Sequence, residues 1–419
     1  MYTVGIDIGT SKLCAVKYNN ESGAVEKTVS ASNSFDIASD DLFERIQNPA
    51  DIFNAVVSLL DEIGTEDVRG IGISNQMHGI VYYDKCGIAV SPLYTWQDMR
   101  GNERYHDGCS YADVFGAPAG YGLTTDFYNE TNGIIPEKTV GLCSIGDYIV
   151  MRLCGKTIPL THITNAASFG CFDVVKNCFT LDNPRLPEVT ADFAVAGEYG
   201  SIPVAVAVGD NQASFIGSVD SEDDILVNIG TGSQASYLSD NPVASAQAET
   251  RPFDGKKYLI ACCALCGGRA FADAVGFVRD CAALVTGIED KDIYPAVDRL
   301  LDGYDGESLF VDTRFCGTRN DPGICGTVNG ITERNFTPAA FLSGVCDGIA
   351  RELYDMLLSC DPAFFSVPRV FIGSGGGIRK NTALRRSVEK VFNCTLHYTS
   401  CNEEAAVGAA LIANNNIIN

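Results

Sequence analysis

The chain of 419 residues is too long for one ordinary globular domain, and 46% apolar against 20% charged residues supports a sizeable core and excludes wholesale disorder. Thirty basic against fifty-three acidic side chains leave a formal charge of −23, which opposes broad contact with nucleic acid or an anionic membrane surface. Seventeen cysteines are too few for a disulfide scaffold; with no signal-like segment and no membrane-length apolar run, they read as reduced thiols of a cytoplasmic protein.

Strands and helices alternate along the chain. Residues 4–8 form an apolar strand that stops at Gly9-Thr10-Ser11, and residues 13–18 return as a second strand. Asp51 is placed to cap a helix whose apolar residues Ile52, Val56, Leu59, Leu60 and Ile63 recur with the 3.6 period. Residues 68–74 are the next strand, and residues 79–84 and 88–90 flank the turn Asp84-Lys85-Cys86-Gly87 as a hairpin. Residues 203–208 form an apolar strand broken by Gly209, after which Asp210-Asn211-Gln212 lead into a small, helix-like run. A short connection near 217–223 divides the chain into an N-terminal domain, 1–218, and a C-terminal domain, 219–419. In the second, residues 224–229 are a strand ending in Gly230-Thr231-Gly232-Ser233. Thr337-Pro338 starts a helix with Leu342, Val345, Ile349, Leu353, Met356 and Leu357 on one face. Residues 370–372 run into Gly373-Ser374-Gly375-Gly376-Gly377, and a last helix over 403–413 is built from small residues that permit close packing. Hairpins mixed with helices predict an α/β chain whose sheets hold both parallel and antiparallel strands.

The first strand and turn have an echo about half a chain later: Ile6-Asp7-Ile8-Gly9-Thr10-Ser11 against Val227-Asn228-Ile229-Gly230-Thr231-Gly232-Ser233. Glycine lets backbone approach a polyphosphate, exposed amides make an anion-binding concavity, and hydroxyls add donors. Only the first copy offers a carboxylate, Asp7, suited to Mg²⁺ through water. Neither copy has the spacing of a P-loop. Gly376 and Gly377, with Asn381 beyond them, and Gly267-Gly268 after an apolar strand could line an adenosine pocket. Asp210, at the end of a buried strand, could serve as a general base or as a helix cap. Gln76-Met77-His78-Gly79 and Thr95-Trp96-Gln97-Asp98 supply amide, imidazole, carboxylate and an aromatic face, the chemistry of a polyol pocket. Cys262, Cys263 and Cys266 lack a second ligand pair at zinc spacing and read as buried, inert thiols.

Taken together, these segments resemble the FGGY carbohydrate kinases over essentially the whole chain, from Asp7-Ile-Gly-Thr to Glu404-Ala-Ala-Val-Gly-Ala-Ala. Within the family, Thr95-Trp-Gln-Asp98, residues 146–155, Asn165-Ala-Ala-Ser-Phe-Gly170 and Gly209 to Ser214 look most like members that phosphorylate sedoheptulose. Members acting on xylulose are a close second through Gln76-Met-His-Gly79. The resemblance implies two ribonuclease-H-like domains of the actin, hexokinase and Hsp70 type around an interdomain cleft, with ATP and Mg²⁺ as cofactors and a small sugar as substrate. It makes Asp210 the catalytic base and Asp7 the metal carboxylate. Gly9, Thr10, Ser11 and Lys12 become the first phosphate loop, and Gly230, Thr231, Gly232 and Ser233 the second. Gly267, Gly268, Gly376, Gly377 and Asn381 fall at the adenosine site; Gln76, Met77, His78, Trp96 and Asp98 fall at the sugar site. Relatives carry a basic residue in place of Cys14, and Lys12, on the same strand face, is the cation that stands in for it. The stretch from Trp96 to Asp147 is shorter than in most relatives, and a homodimer is compatible with the chain. The same fold also serves non-kinase ATPases: sugar-responsive regulators, filament formers and Fe–S activators.

Overall fold

The computed structural model describes residues 1–289, 292–399 and 402–418. The chain divides after Ser218, but not once: Arg251–Tyr258 and the C-terminal helix Glu404–Ile418 group with Met1–Ser218 in the first unit, and the second unit takes most of the remainder. The assignment of everything from 219 to 419 to one domain is corrected accordingly.

The first unit is built on a seven-stranded sheet. Its order is Val195–Tyr199, Ile202–Ala205, Val68–Asn75, Tyr2–Ile8, Lys12–Asn19 and Ala24–Ser32, with Val208–Gly209 also paired to Val68–Asn75. Tyr2–Ile8 runs antiparallel to Lys12–Asn19 and parallel to Val68–Asn75, so the sheet is mixed as its hairpins predicted. The helix Pro49–Ile63 buries Ile52, Val56, Leu59, Leu60 and Ile63. Its cap is Asn48, whose side chain accepts from the Ala50 and Asp51 amides; Asp51 sits in the first turn instead. The 84–87 hairpin forms, with the Asp84 amide donating to the Ile88 carbonyl at 2.9 Å.

Small residues decide where the last helix goes. A Cβ added at Gly5 would lie 1.8 Å from the Ala406 carbonyl oxygen, one at Gly72 1.9 Å from that of Ala409, and one at Gly217 1.9 Å from that of Glu404. Gly408 on the helix itself meets the Ala213 carbonyl in the same way, at 1.8 Å. Backbone therefore lies directly on backbone, with Ala406, Ala409, Ala410 and Ala413 buried in the seam.

The second unit repeats the plan. Its sheet holds Ser233–Ser239, Ile225–Ile229, Phe371–Ser374 and Leu396–Tyr398 in that order. Ile225–Ile229 is antiparallel to Ser233–Ser239 and parallel to Phe371–Ser374, as Tyr2–Ile8 is to its two neighbours. Asp7 is in register with Ser74, and Asn228 with Ser374. Thr337 caps the helix Pro338–Cys360, which buries its expected apolar face. Gly373 lies inside the strand Phe371–Ser374, and the turn begins only at Gly375, with φ +87°. Cys262 and Cys266 are buried, but Cys263 is half-buried, and the Cys262 Sγ lies 3.7 Å from that of Cys360.

Gly5→Ala or Gly408→Ala should lower stability to urea by about 1–3 kcal/mol, because a backbone oxygen cannot yield as a side chain can. Gly376→Ala is the control: a Cβ there meets nothing within 4 Å, and its unfolding midpoint should stay at the wild-type value.

Candidate functional site

Asp7 is the next-to-last residue of the first strand, and Ser74 beside it donates its hydroxyl to Asp7 Oδ1 at 2.8 Å. Ser74 is also in register with Val208 on its other side. Asp7 and Val208 therefore flank one residue, and Asp210, opening the helix Asp210–Ser218, emerges just beyond that row. Asp7 is pushed up to about 7, first by burial and then by the Asp210 carboxylate; Ser74 opposes this, and Glu403 adds to it. Burial likewise raises Asp210, while the Arg251 guanidinium and the Asn211 amide, 3.0 Å from Oδ1, draw it back down. The first unit thus holds two carboxylates that each feel too little positive charge.

The nearest lysine does not relieve them freely. Lys12 Nζ donates to Glu403 Oε1 at 2.7 Å, and that hydrogen bond raises its affinity for the proton. Cys14, on the same strand face, is buried, and its thiol is pushed up to about 12 by burial and by the same Glu403. Lys12, expected as a phosphate cation, is therefore found in an ion pair. Gly9 closes the turn, its amide donating to the Lys12 carbonyl at 3.0 Å and its own carbonyl accepting from Asn33 Nδ2 at 2.8 Å.

Four of the five expected sugar-site residues gather beside this turn. Trp96 keeps 42% of its surface exposed, and its indole N–H donates to Thr10 Oγ1 at 2.9 Å. The Thr10 hydroxyl donates in turn to Gln76 Oε1 at 3.3 Å, so that hydroxyl already serves a protein acceptor. Met77 is buried, and Asn211 Nδ2 donates to its sulfur at 3.6 Å. His78 adopts φ +71°, a left-handed conformation that a residue with a Cβ holds only where its surroundings insist. The Ser168 carbonyl accepts from its Nδ1 at 2.7 Å, and its ring stacks on Tyr121 at 4.4 Å. A carbonyl oxygen can only accept, so Nδ1 carries a proton.

Asp98 does not join them. It is 0% exposed, and its carboxylate accepts from Arg100 Nε at 2.7 Å, Arg100 Nη2 at 3.0 Å and the Arg45 amide at 3.0 Å. Arg100, itself buried, is held further by Asn129 and Glu44 and lies over the Tyr94 ring at 4.4 Å. Asp98 is a structural anchor, and its assignment to the sugar site is corrected. Sequence reasoning also passed over Gln47, Ser74, Tyr121, Ser168, Arg251 and Glu403; each lies far along the chain from at least one residue it touches or influences.

In the second unit, the Gly230 amide closes its turn on the Gly232 carbonyl at 3.0 Å. The Gly267 and Gly268 amides donate to the Thr231 and Gly230 carbonyls at 2.9 and 2.8 Å, so they brace the turn and do not face a ligand. A Cβ at Gly230 or Gly376 would meet nothing within 4 Å, whereas one at Gly377 would come within 2.7 Å of the Ile229 carbonyl. Gly230 and Gly376 are thus the two positions with space for close approach. Ser233 Oγ is buried without a hydrogen-bond partner among the described residues. Asn381 caps the helix Thr382–Phe392, accepting the Leu384 amide at 3.0 Å. A cavity of about 730 Å³ in this unit, lined by residues such as Arg314, Arg351 and Glu352, contains none of the expected nucleotide-site residues. Among the described residues, no group of three or more His, Cys, Asp or Glu side chains is arranged to hold a metal, and no helix is long and apolar enough to cross a membrane.

A duplicated mixed sheet is the architecture of the actin and hexokinase fold, and the first unit sets an acidic pair at one strand–turn junction with a polar and aromatic cluster beside it. Residues 2–107 match the N-terminal domain of the FGGY family of carbohydrate kinases. It is 28% identical to mouse sedoheptulokinase over 415 residues, covering 88% of this chain and 86% of that one. Against human sedoheptulokinase it is 27% identical over 465 residues, covering 98% and 96%. Among solved structures, the ligand-bound xylulose kinase from Lactobacillus acidophilus superposes with a TM-score of 0.79 at 18% identity, covering 100% of this chain and 90% of that one, which speaks to the fold.

Asp98→Ala should cost about 3–5 kcal/mol of stability by leaving the Arg100 guanidinium buried and unpaired. Denaturant unfolding checks the loss. If the variant instead keeps its stability and shows only a raised KM for sugar, Asp98 is a ligand of the sugar after all.

Proposed function

We propose that this protein transfers the γ-phosphoryl group of ATP to the terminal hydroxyl of a ketose in the cytoplasm, with sedoheptulose as the substrate and its 7-phosphate as the product. The observation that carries the reading is the Asp7–Asp210 pair: two carboxylates at the carboxyl ends of one sheet, one backed by Ser74 and the other influenced by Arg251. Asp210 takes the proton from the attacking hydroxyl, and Arg251 opposes the effect of burial on its carboxylate. Gln76, His78 and Trp96 bind and orient the sugar: the amide and imidazole take hydroxyls, and the exposed indole face takes the C–H side of the chain.

Asp7, raised by burial beside like charges, is a carboxylate short of a cation and fits a divalent ion held partly through water. Mg²⁺ held there would neutralise the phosphate charge that builds during transfer. Gly9, Thr10 and Ser11 would offer backbone to the phosphates on the first unit. Gly230, Thr231, Gly232 and Ser233 would do so on the second, with Gly376, Gly377 and Asn381 taking the adenosine. Support for sedoheptulose comes from the two mammalian sedoheptulokinases, which align with nearly the full chain. Xylulose is the runner-up because Gln76-Met77-His78-Gly79 suits it as well.

ADP release should be measured with sedoheptulose, xylulose, ribulose, fuculose, rhamnulose and glycerol. The highest kcat/KM is expected for sedoheptulose, and no sugar raising ADP release above the sugar-free rate would end the kinase reading. Asp210→Asn should lower kcat by about 10²–10⁴-fold while ATP binding persists. Full activity in that variant would remove Asp210 from the base's role.

A further inference from the structure

Gln47 was not singled out by its sequence, yet it closes a circuit of hydrogen bonds that joins the sugar side of the first unit to the phosphate side. Its Nε2 donates to the Thr10 carbonyl at 3.0 Å and to Asp36 Oδ1 at 3.2 Å. Its Oε1 accepts from Gln76 Nε2 at 3.1 Å. Gln76 Oε1 accepts from the Thr10 hydroxyl, and the Thr10 oxygen accepts from the Trp96 indole. The two glutamine side chains are buried, and both the backbone and the side chain of Thr10 lie inside the ring.

The local fold explains why the ring is stiff. Gln47 sits on the short strand Ile46–Gln47, in register with Asp36 on one side and Leu93 on the other. Leu93–Tyr94 leads directly to Trp96, so one three-stranded ribbon presents both Gln47 and the indole. The Gln76 amide is anchored separately, donating to the Ile8 carbonyl at 2.9 Å, one residue before the turn. Moving Trp96 or Gln76 therefore disturbs the partners of Thr10, and moving Thr10 disturbs both.

We propose that Gln47 is a positioning residue that makes the conformation of the first phosphate turn depend on occupancy of the sugar side. The proposal rests on the kinase reading above for its consequence, but not for its geometry. A sugar that fixes Trp96 and Gln76 fixes Thr10 through this ring and so sets the turn for transfer. Holding the turn in this way favours transfer to sugar over loss of phosphate to water.

Trp96 is the only tryptophan, so its emission reads the ring directly, with or without turnover. Gln47→Leu, Thr10→Val and the double variant should be compared with wild type in emission, in its response to sugar and in steady-state kinetics. Each single variant should shift the emission, and Gln47→Leu should lower kcat about tenfold or more with sugar KM little changed. The double variant should fall short of the summed single effects, as members of one network do. Thr10→Ser, which keeps the hydroxyl, should preserve the emission and decides the matter if Gln47→Leu fails to fold. Wild-type emission and kcat in a folded Gln47→Leu, or additive effects in the double variant, would overturn the proposal. Should wild type turn over no sugar on the panel, the kinase reading fails, while the emission arms still decide whether the ring exists.

Discussion

Two carboxylates set side by side at the end of a sheet oppose the folding of the unit that holds them, and much of the first unit can be understood as the answer to that cost. Burial raises the proton affinity of both Asp7 and Asp210, and the Asp210 carboxylate raises that of Asp7 further. The strand Val68–Asn75 inserts Ser74 between their rows as a hydroxyl donor, and the segment 251–258 brings Arg251 to Asp210. No single partner neutralises the pair. A fully compensated pair would have little reason to attract a cation or accept a proton.

The C-terminal helix belongs to the same answer. It docks against Gly5, Gly72 and Gly217 with its backbone in contact, and its leading residues carry Glu403 to Lys12. Close packing of this kind is available only where both surfaces lack side chains, which is why the small residues of the helix and the glycines under it occur as a matched set. Lys12 is held beside Asp7 by an acid that is itself unfavourable to Asp7. The positive charge is thereby fixed in place, and its help to the pair is partly cancelled.

How much could be read from the sequence followed how local the cause was. The paired strand–turn segments, the 84–87 hairpin, the Thr337-Pro338 start and the apolar face of the helix after it depend on neighbours in the chain, and all appear. The cap at Asn48 was also legible, since Asn48-Pro49 is a cap followed by proline at the first helical position; the apolar period drew attention to Asp51 instead. Other features had no local signal. Lys12 and Glu403 lie 391 residues apart, so their ion pair could not be anticipated from the spacing of the turn. Asp98 carries the polar character of a ligand, and only the burial of Arg100, with partners from residues 44 and 129, turns it into an anchor. Gly267 and Gly268 have the composition of a phosphate loop, but the direction of their amides is set by a turn more than thirty residues earlier.

The duplicated architecture then explains why the two turns are not equivalent. In both units the strand before the turn carries a polar residue in register with a serine on the parallel neighbour. In the first, Ser74 donates to the Asp7 carboxylate; in the second, the Asn228 amide donates to the Ser374 hydroxyl, at 2.8 Å in each case. The contact is conserved in geometry but reversed in polarity, because an amide can donate where a carboxylate can only accept. An amide at that position carries no charge but keeps a hydrogen bond to the neighbouring serine, so the second turn lacks the carboxylate that the first one has. The charged copy lies in the unit that also carries Asp210, and the neutral copy has Gly230 and Gly376 as open backbone. The two turns thus share one hydrogen-bonded frame and differ in charge.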